Sequence, residues 1–234
     1  MVKRSIALLG ATGSIGSSTL SVITEQSGHF RLSLISAHTD HASLTRIARQ
    51  FECPILCLTG ISDSSRQAQL RAEHPDLKIY FGEDELLRLL QNEDYDLGLN
   101  AITGSAGLRS SEAILLRGKD LALANKESLV MAGHILTPLA KQQGKRILPV
   151  DSEHSAIFQA LGKHPASEIR KLIITASGGA FRDLPLSEFG AITPEAALRH
   201  PNWTMGAKVT LDSATMFNKA LEVIEAHWLF DLPY

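Results

Sequence analysis

A glycine-rich turn near the N-terminus constrains the fold of this chain more than any other feature. The apolar run Ile6–Leu9 leads into GATGSIG, with Gly10, Gly13 and Gly16, and apolar residues at helical spacing continue to Ile23. A strand, a glycine turn and a helix in this order form a phosphate cradle, because the glycines permit a tight turn and let the backbone approach a pyrophosphate. The spacing is GxxGxxG rather than the commoner GxGxxG. We predict dinucleotide binding, and a merely structural loop is the alternative.

Strand-like and helix-like segments alternate downstream of this turn. The predicted strands are Ile6–Leu9, Leu32–Ser36, Ile55–Leu58, Lys78–Phe81, Leu97–Ile102, Leu121–Ala124 and Arg146–Val150. The predicted helices include Ala42–Gln50, Ser64–Glu73 and Asp84–Gln91. Such alternation produces a parallel sheet covered on both faces, with ligands bound beyond the carboxyl ends of the strands. We predict an α/β fold, with a Rossmann-like doubly wound parallel sheet in residues 1–150 and an α+β domain in residues 151–234.

Composition and charge exclude several classes of protein. The 234 residues carry a net charge of −2 and no run of Lys and Arg, so nucleic acid is not an expected partner. No apolar run is long enough to cross a membrane, and the opening MVKRSIALLG passes directly into the glycine turn, which favours a first strand over a signal peptide. Cys53 and Cys57 indicate neither a disulfide framework nor a zinc motif. We therefore expect a cytoplasmic protein with no membrane partner.

The end of the second predicted strand bears on the choice of cofactor. A fold that prefers NAD usually places an acid about 20 residues after the glycine turn, to hold the ribose 2′-hydroxyl. Here Ala37, His38 and Thr39 contain no acid, and Asp40 comes slightly late. We predict NADP, with His38, Thr39 and Arg46 as possible donors to the 2′-phosphate. The alternative is that His38 is an ordinary exposed loop residue.

Polar residues also follow two later strands. Asn125-Lys126-Glu127-Ser128 comes after the sixth predicted strand, and ITGSAG ends and follows the fifth. A Lys-Glu pair at a strand's carboxyl end can orient a ribose or polarise a substrate oxygen. The plainer alternative is a polar helix start, where a glutamate is common.

Three carboxylates in the last third of the chain are candidate metal ligands. Asp151 and Glu153 follow the seventh predicted strand, and Glu222 lies in a helical pattern further on. Three oxygen ligands without sulfur suit Mg²⁺ or Mn²⁺ better than zinc. The alternative is a solvated helix start with Ser152 as its cap. We interpret His154 as a structural residue, although it could bind a softer metal.

Hydroxyl, amide and ammonium groups near the C-terminal helix form a candidate phosphate site. Ser213 is predicted to cap an amphipathic helix with Met216, Ala220, Val223, Ile224 and Trp228 on its apolar face. The candidate phosphate contacts are Ser213, Asn218, Lys219 and, in a Ser-Gly-Gly turn after a predicted strand Lys171–Thr175, Ser177. The candidate lid is a loop that contains His200, Trp203 and Met205. The alternatives are a plain β-turn, core positions for the Trp and Met, and a surface position for Glu222.

Five segments together resemble one family. They are GATGSIG, ANKESLV, LPVDSEHSAIFQ, SGGAFR and HPNWTMGAKVTLDSATMFNKALEVIEAHWLF, and they span almost the whole chain. In this order they resemble the 1-deoxy-D-xylulose 5-phosphate reductoisomerase family of the non-mevalonate isoprenoid pathway. The resemblance implies an enzyme that uses NADPH and a divalent metal to rearrange and reduce 1-deoxy-D-xylulose 5-phosphate to 2-C-methyl-D-erythritol 4-phosphate. It also implies that family chains continue well beyond Tyr234, so the catalytic domain is expected to be incomplete at its C-terminal end.

The resemblance implies a role for each matched residue. Cofactor contacts are implied for Thr12, Gly13, Ser14, Ile15, Ala37, His38, Thr39, Asn125, Glu127 and Gly206. The implied ligands of Mn²⁺ or Mg²⁺, with Co²⁺ as a further alternative, are Asp151, Glu153 and Glu222, which together with Lys126 are the implied catalytic residues. Substrate contacts are implied for Lys126, Ser152, Glu153, Ser177, His200, Trp203, Met205, Ser213, Asn218, Lys219 and Glu222. Relatives commonly have Gly-Lys-Asn where this chain has Ala37-His38-Thr39.

Two other functions stay open from the sequence. A truncated, inactive dinucleotide-binding module would use only residues 1–150, and the segment from Asp151 to Phe230 would then have no purpose. A semialdehyde dehydrogenase would need a nucleophilic cysteine, whereas Cys53 and Cys57 lie in the predicted third-strand region. For the reductoisomerase family, a sugar phosphate substrate is implied, and the full-length protein is expected to be a homodimer.

Overall fold

The chain divides into two structural units. The structure is a computed structural model that describes residues 2–162, 164 and 166–234. The first unit is Met1–Val150 and the second is Asp151–Tyr234. None of the helices in these described ranges has the length and apolar character needed to span a membrane.

Seven parallel strands form the sheet of the first unit. They are β1 (Arg4–Leu9), β2 (Phe30–Ala37), β3 (Ile55–Leu58), β4 (Lys78–Phe81), β5 (Leu97–Asn100), β6 (Asp120–Leu123) and β7 (Ile147–Pro149). The strand order is β4-β3-β2-β1-β5-β6-β7, and each ladder is parallel. The order reverses at β1, which lies between β2 and β5. This reversal is a topological switch point, where ligands of open α/β sheets bind.

Helices connect consecutive strands of this sheet. They are α1 (Ser14–Glu25), α2 (His41–Gln50), α3 (Ser64–Glu73), α4 (Glu83–Asn92), α5 (Leu108–Leu116) and α6 (Lys126–Gln142), and a 3₁₀ turn covers Gly104–Gly107. Parallel crossovers are nearly always right-handed, so the reversal at β1 places α1 to α3 on one face and α5 and α6 on the other. The predicted Rossmann-like doubly wound α/β fold is therefore confirmed.

Apolar strands explain why the sheet is buried on both faces. Every residue of β3 is buried, as are the last five residues of β1 and the last six of β2. Such near-continuous apolar strands are typical of parallel sheets whose faces are both covered by helices. Leu8, Leu34 and Leu56 are among the largest fully buried side chains.

Local polar signals account for the bounds of several elements. Strands β3 and β4 and helix α3 have their predicted bounds. Asp63 caps α3, since its carboxylate accepts hydrogen bonds from the backbone N–H groups of Ser65 and Arg66. Strand β5 ends earlier than predicted, because the side-chain oxygen of Asn100 accepts a hydrogen bond from the N–H of Ile102 at 3.1 Å and turns the chain.

The described residues of the second unit form helices and irregular segments. The helices are α7 (Ser152–Leu161), α8 (Pro194–Ala197), α9 (Ala207–Ala214) and α10 (Phe217–Phe230), with 3₁₀ turns at Ala166–Glu168 and Leu186–Ala191. The predicted strand Lys171–Thr175 is wrong, because no strand forms there. A strand needs a neighbour to pair its backbone groups, and the described residues of this unit provide none.

The predicted start of the C-terminal helix is also wrong. Ser213 lies in the last turn of α9, and α10 begins only after Met216, whose left-handed backbone (φ 61°) separates the two helices. The buried face of α10 differs from the predicted apolar face as well. It comprises Leu221, Glu222, Glu225 and Ala226, whereas Met216 and Val223 are exposed. Helix α10 thus buries two carboxylates, and buried charges need polar partners.

Candidate active site

The glycine turn after β1 is tightly enclosed by backbone. Gly10 has a φ of +77°, and a Cβ there would lie 2.6 Å from the carbonyl oxygen of Ala101. The N–H of Ala11 donates a hydrogen bond of 2.8 Å to the carbonyl oxygen of Ser36. At Gly16 a Cβ would lie 2.5 Å from two backbone carbonyl oxygens of the turn. The turn therefore depends on glycine at both positions.

The start of α1 offers backbone donors. Gly13 is the N-cap residue, and no side chain caps the helix within the described part of the chain. Ser14 and Ile15 are exposed and Thr12 is half-buried, so this end of the helix faces open space. Free N–H groups and the helix dipole make such an end suitable for an anion.

Asn125 ties the loops after β5 and β6 together. Its side-chain amide donates hydrogen bonds to the carbonyl oxygens of Ile102 (2.6 Å) and Gly104 (2.7 Å), and its oxygen caps α6. The same amide lies 3.1 Å from the carboxylate of Glu127. Lys126, at the first position of α6, is only 8% exposed. These residues lie at the carboxyl edge of the sheet, as does the glycine turn, because all seven strands are parallel.

The segment after β2 exposes one imidazole at the same edge. Ala37 is buried, whereas His38 and Thr39 are exposed. The His38 ring packs closely on Gly60, where a Cβ would lie 2.4 Å from a ring atom, and its Nδ1 lies 3.3 Å from the hydroxyl of Thr59. Asp40 caps α2 through the N–H of the third residue of that helix. That hydrogen bond holds the pKa of Asp40 below its ordinary value.

The second unit brings the three predicted metal ligands together. Single carboxylate oxygens of Asp151, Glu153 and Glu222 all lie within 4.8 Å of one another. Asp151 is the N-cap residue of α7 and Glu153 belongs to its first turn, whereas Glu222 projects from α10 and is only 1% exposed. The alternative with Ser152 as the cap does not hold, because Ser152 is already the first residue of the helix.

Polar donors already surround two of these carboxylates. The ammonium of Lys219 contacts Glu222 and lies 2.9 Å from Glu153, so it bridges the two groups. The amide of Asn218 donates to the other oxygen of Glu222, and the hydroxyl of Ser152 donates to Glu153 at 2.6 Å. Burial raises the pKa of Glu153, but the hydrogen bonds from Ser152 and Lys219 outweigh it, and the pKa lies below its ordinary value. Glu153 therefore stays ionised and able to bind a cation.

The candidate phosphate residues line one small cleft of the second unit. Ser177, Ser213, Asn218 and Lys219 line it together with Glu153. The chain approaches closely here, since a Cβ on Gly179 would lie 2.3 Å from the carbonyl oxygen of Ser213. The cleft thus combines two hydroxyls, an amide and an ammonium, which are suitable donors for a phosphate.

His200 connects the loop 199–206 to this cleft. Its Nδ1 accepts hydrogen bonds from the backbone N–H groups of Asn202 (3.2 Å) and Trp203 (3.0 Å). In the neutral ring the proton is therefore on Nε2, which donates to the hydroxyl of Ser177 at 3.1 Å. The imidazole in this way orients a hydroxyl that lines the cleft.

The remaining predicted residues lie outside the cleft. Trp203 is 62% exposed and Met205 is half-buried, and neither is among the described residues that line it. Gly206 is the N-cap residue of α9. The loop prediction for this segment agrees with the structure, and the core alternative for Trp203 does not.

Two buried residues lie beside the carboxylates: His154, which we interpreted as structural from the sequence, and Glu225, which was given no role. His154 is fully buried in α7, and its Nδ1 lies 3.5 Å from the carboxylate of Glu225, which is 1% exposed. Their spacing in sequence weakly indicates that they lie beside the metal ligands, since His154 follows Asp151 by one helical turn and Glu225 follows Glu222 by one turn.

The cysteines do not have the character of a nucleophile. Both Cys53 and Cys57 are buried in the first unit. Burial raises the pKa of the Cys53 thiol to about 11 and that of Cys57 to about 12. Such thiols stay protonated, which is unfavourable for the semialdehyde dehydrogenase alternative.

Comparison with known proteins follows the same division of the chain. Residues 6–133 match the family described as "1-deoxy-D-xylulose 5-phosphate reductoisomerase", and residues 147–230 match its C-terminal domain. A relative from Geobacillus sp. (strain WCH70), named 1-deoxy-D-xylulose 5-phosphate reductoisomerase, is 47% identical over 230 residues, 98% of this chain and 60% of the relative. A relative of the same name from Bacillus subtilis (strain 168) is 47% identical over 231 residues, 99% of this chain and 60% of the relative.

Solved structures give the same result. A DOX-P reductoisomerase in complex with NADPH, fosmidomycin and magnesium has a TM-score of 0.89 and 40% identity, over 98% of this chain and 59% of that one. The enzyme from Zymomonas mobilis in complex with NADPH has a TM-score of 0.87 and 38% identity, over 99% of this chain and 59% of that one. The chain thus spans about 60% of the length of the relatives it matches. By its matched sequence and its fold, the chain belongs to the 1-deoxy-D-xylulose 5-phosphate reductoisomerase family.

Proposed function

We propose that the first unit binds NADPH and that the second unit binds a divalent cation and a sugar phosphate. The proposed reaction is the rearrangement and reduction of 1-deoxy-D-xylulose 5-phosphate to 2-C-methyl-D-erythritol 4-phosphate, as the names of the relatives indicate. The observation that carries the proposal is the cluster of three carboxylates. Lys219 contacts two of them and also lines the cleft that contains the candidate phosphate-binding donors.

The residues of the second unit fit a divalent cation. Asp151, Glu153 and Glu222 supply only oxygen ligands, which hard cations such as Mg²⁺ and Mn²⁺ prefer. A cation is already favoured at this place, since the ammonium of Lys219 contacts both glutamates. When bound, a divalent ion would supply Lewis acidity to the oxygens of a hydroxyketone.

The residues of the first unit fit a dinucleotide phosphate. The glycine turn has no room for side chains at Gly10 and Gly16, and the uncapped start of α1 presents backbone N–H groups. His38 and Thr39 are exposed donors at the end of β2. The first acid after β2 is Asp40, whose carboxylate is engaged as the cap of α2 and is therefore less able to repel a 2′-phosphate.

The side chains of the cleft have separate tasks in this proposal. The hydroxyls of Ser177 and Ser213 and the amide of Asn218 hold the phosphate, while His200 fixes the Ser177 hydroxyl. Binding energy at this phosphate, remote from the reacting carbons, orients the substrate for the reaction. A bound cation would compete with the ammonium of Lys219 for the two glutamates, and the displaced ammonium would then be available to the substrate.

The test is NADPH oxidation by the 234-residue chain with 1-deoxy-D-xylulose 5-phosphate, with and without Mn²⁺. Metal-dependent oxidation is the expected result. Absence of oxidation together with intact NADPH binding would refute the proposal for this length of chain and leave a dinucleotide-binding module.

The variant Glu222→Gln distinguishes metal binding by the second unit from NADPH binding by the first unit. It removes a charged ligand without changing the shape of the side chain, so metal-dependent oxidation should be lost while NADPH affinity is nearly unchanged. The matched control is Glu188→Gln, which removes the same charge from an exposed position and should retain both properties.

A further inference from the structure

A second group of possible metal ligands adjoins the three carboxylates. It consists of Asp151, His154 and Glu225, whose ligand atoms all lie within 4.8 Å of one another. His154 and Glu225 are buried almost completely. The group differs from the first in that it contains a nitrogen ligand, although both groups share Asp151.

The protonation of His154 is determined by its backbone partner. Its Nε2 lies 2.9 Å from the carbonyl oxygen of Glu222, and a carbonyl only accepts, so Nε2 carries a proton. In the neutral ring Nδ1 then carries the lone pair. That atom is buried and makes no hydrogen bond with any residue in the described ranges. Histidines that bind metals have this arrangement, since their other ring N–H usually donates to a carbonyl or a carboxylate.

The distance between His154 and Glu225 also favours a shared cation. Nδ1 lies 3.5 Å from Oε2 of Glu225, which is longer than an ordinary hydrogen bond. Two ligands about 2.1 Å from one tetrahedral ion lie about 3.4 Å apart. Phe230 stacks on the imidazole with ring planes 11° apart, which helps to keep the ring in this orientation.

We propose that Asp151, His154 and Glu225 form a second cation site, selective for a transition metal of the Zn²⁺ or Co²⁺ type. One imidazole and two carboxylates are a ligand set that such ions prefer, whereas Mg²⁺ prefers oxygen alone. The ion joins the start of α7 to α10 and so stabilises the two helices that carry the oxygen site. Asp151 bridges the two sites, because it belongs to both groups.

The test uses Co²⁺ as the probe, added to the 234-residue chain in the presence of excess Mg²⁺. Four-coordinate Co²⁺ has strong visible absorption bands, and six-coordinate Co²⁺ has weak ones. The expected result is a strong band that saturates at one Co²⁺ per chain, with an imidazole signature in the X-ray absorption spectrum. Weak bands without an imidazole signature would overturn the proposal and leave His154 and Glu225 as an ion pair.

Variants assign the band to its ligands. Both His154→Gln and Glu225→Gln should weaken Co²⁺ binding by at least about 100-fold, since even outer-shell partners change metal affinity by about 10- to 100-fold. Glu153→Gln is the matched control, because it removes a ligand of the oxygen site only and should keep the band. A band unchanged in both His154→Gln and Glu225→Gln would refute the site.

Two further measurements keep the outcome unambiguous. Circular dichroism establishes whether each variant is folded, and if neither ligand variant folds, the X-ray absorption spectrum of the unaltered chain decides the question. The cobalt site does not depend on the proposed reaction. Loss of NADPH oxidation in Glu153→Gln with an intact cobalt band would therefore concern the oxygen site alone.

Discussion

Lys219 competes with the cation that the carboxylates would bind. Its ammonium bridges Glu153 and Glu222, and each oxygen of these two carboxylates already accepts a hydrogen bond from Lys219, Asn218 or Ser152. A divalent ion must displace some of these donors. We therefore predict that Lys219→Met, which keeps the apolar length of the side chain, binds Mg²⁺ more tightly than the unaltered chain.

The contacts of Lys219 set the size of this effect. The ammonium makes two charge-assisted hydrogen bonds, and each contributes about 1.5–3 kcal/mol at a site of this kind. The side chain of Lys219 is 16% exposed and that of Glu153 is 17% exposed, so solvent screens these contacts only in part. These values already include the exchange with water, so displacing even one contact at the lower value, about 1.5 kcal/mol, corresponds to roughly tenfold tighter Mg²⁺ binding in Lys219→Met.

Titration calorimetry with Mg²⁺ measures this difference directly, without substrate or cofactor. The matched control is Lys208→Met, which removes an ammonium on α9 that pairs with Asp212 at 2.6 Å. Its Mg²⁺ affinity should change by less than about twofold, as expected for an exposed ion pair. Equal or weaker Mg²⁺ binding by Lys219→Met would refute the competition. Substrate binding should weaken in the same variant, because the ammonium also lines the cleft.

Three further predictions concern the first unit. Gly16→Ala should lower the free energy of unfolding by about 1–3 kcal/mol in urea titrations and weaken NADPH binding, because its Cβ would lie 2.5 Å from backbone oxygens. The control Gly28→Ala should be tolerated, because a Cβ at Gly28 would have no atom within 4 Å. Asn125→Ala should cost about 2–4 kcal/mol in the same titrations, because it removes a helix cap and the hydrogen-bond donor of two carbonyl groups on half-buried residues. An unchanged midpoint would contradict this. Cys53 and Cys57 should react with a thiol reagent at mildly alkaline pH only after the chain is unfolded, because their raised pKa values keep the thiols protonated. Labelling of the native protein would contradict this prediction.

The sheet was predictable because its signals are local. The strand Ile55–Leu58 is a short apolar run between polar turns, and Asp63 marks the start of α3, so both elements have their predicted bounds. The order of strand, turn and helix at the start of the chain was also predictable, because the glycine turn is a local sequence signal. Alternation and right-handed crossovers then left few possible topologies.

The second unit was less predictable because its decisive interactions are non-local. Met216 adopts a left-handed backbone that methionine rarely prefers, so no local rule places the end of α9 at Ala214. Glu222 sits in a helix that reads as amphipathic, yet it is buried because Lys219 and Asn218 satisfy it. The part of Lys219 in the carboxylate cluster depends on Glu153, which is 66 residues away in sequence. The residue pattern of one helix cannot predict a contact between residues so far apart in sequence.

The strand order has a consequence for how the chain folds during synthesis. Strand β1 pairs with β2 on one side and with β5 on the other. The first ladder can form soon after Ala37 leaves the ribosome, but the second must wait until Leu97–Asn100 has emerged, which takes roughly 3–12 s at about 5–20 residues per second. For that interval one edge of β1, the strand that holds the glycine turn, has no partner. The nascent chain is therefore most prone to wrong pairing while its cofactor turn is only half supported.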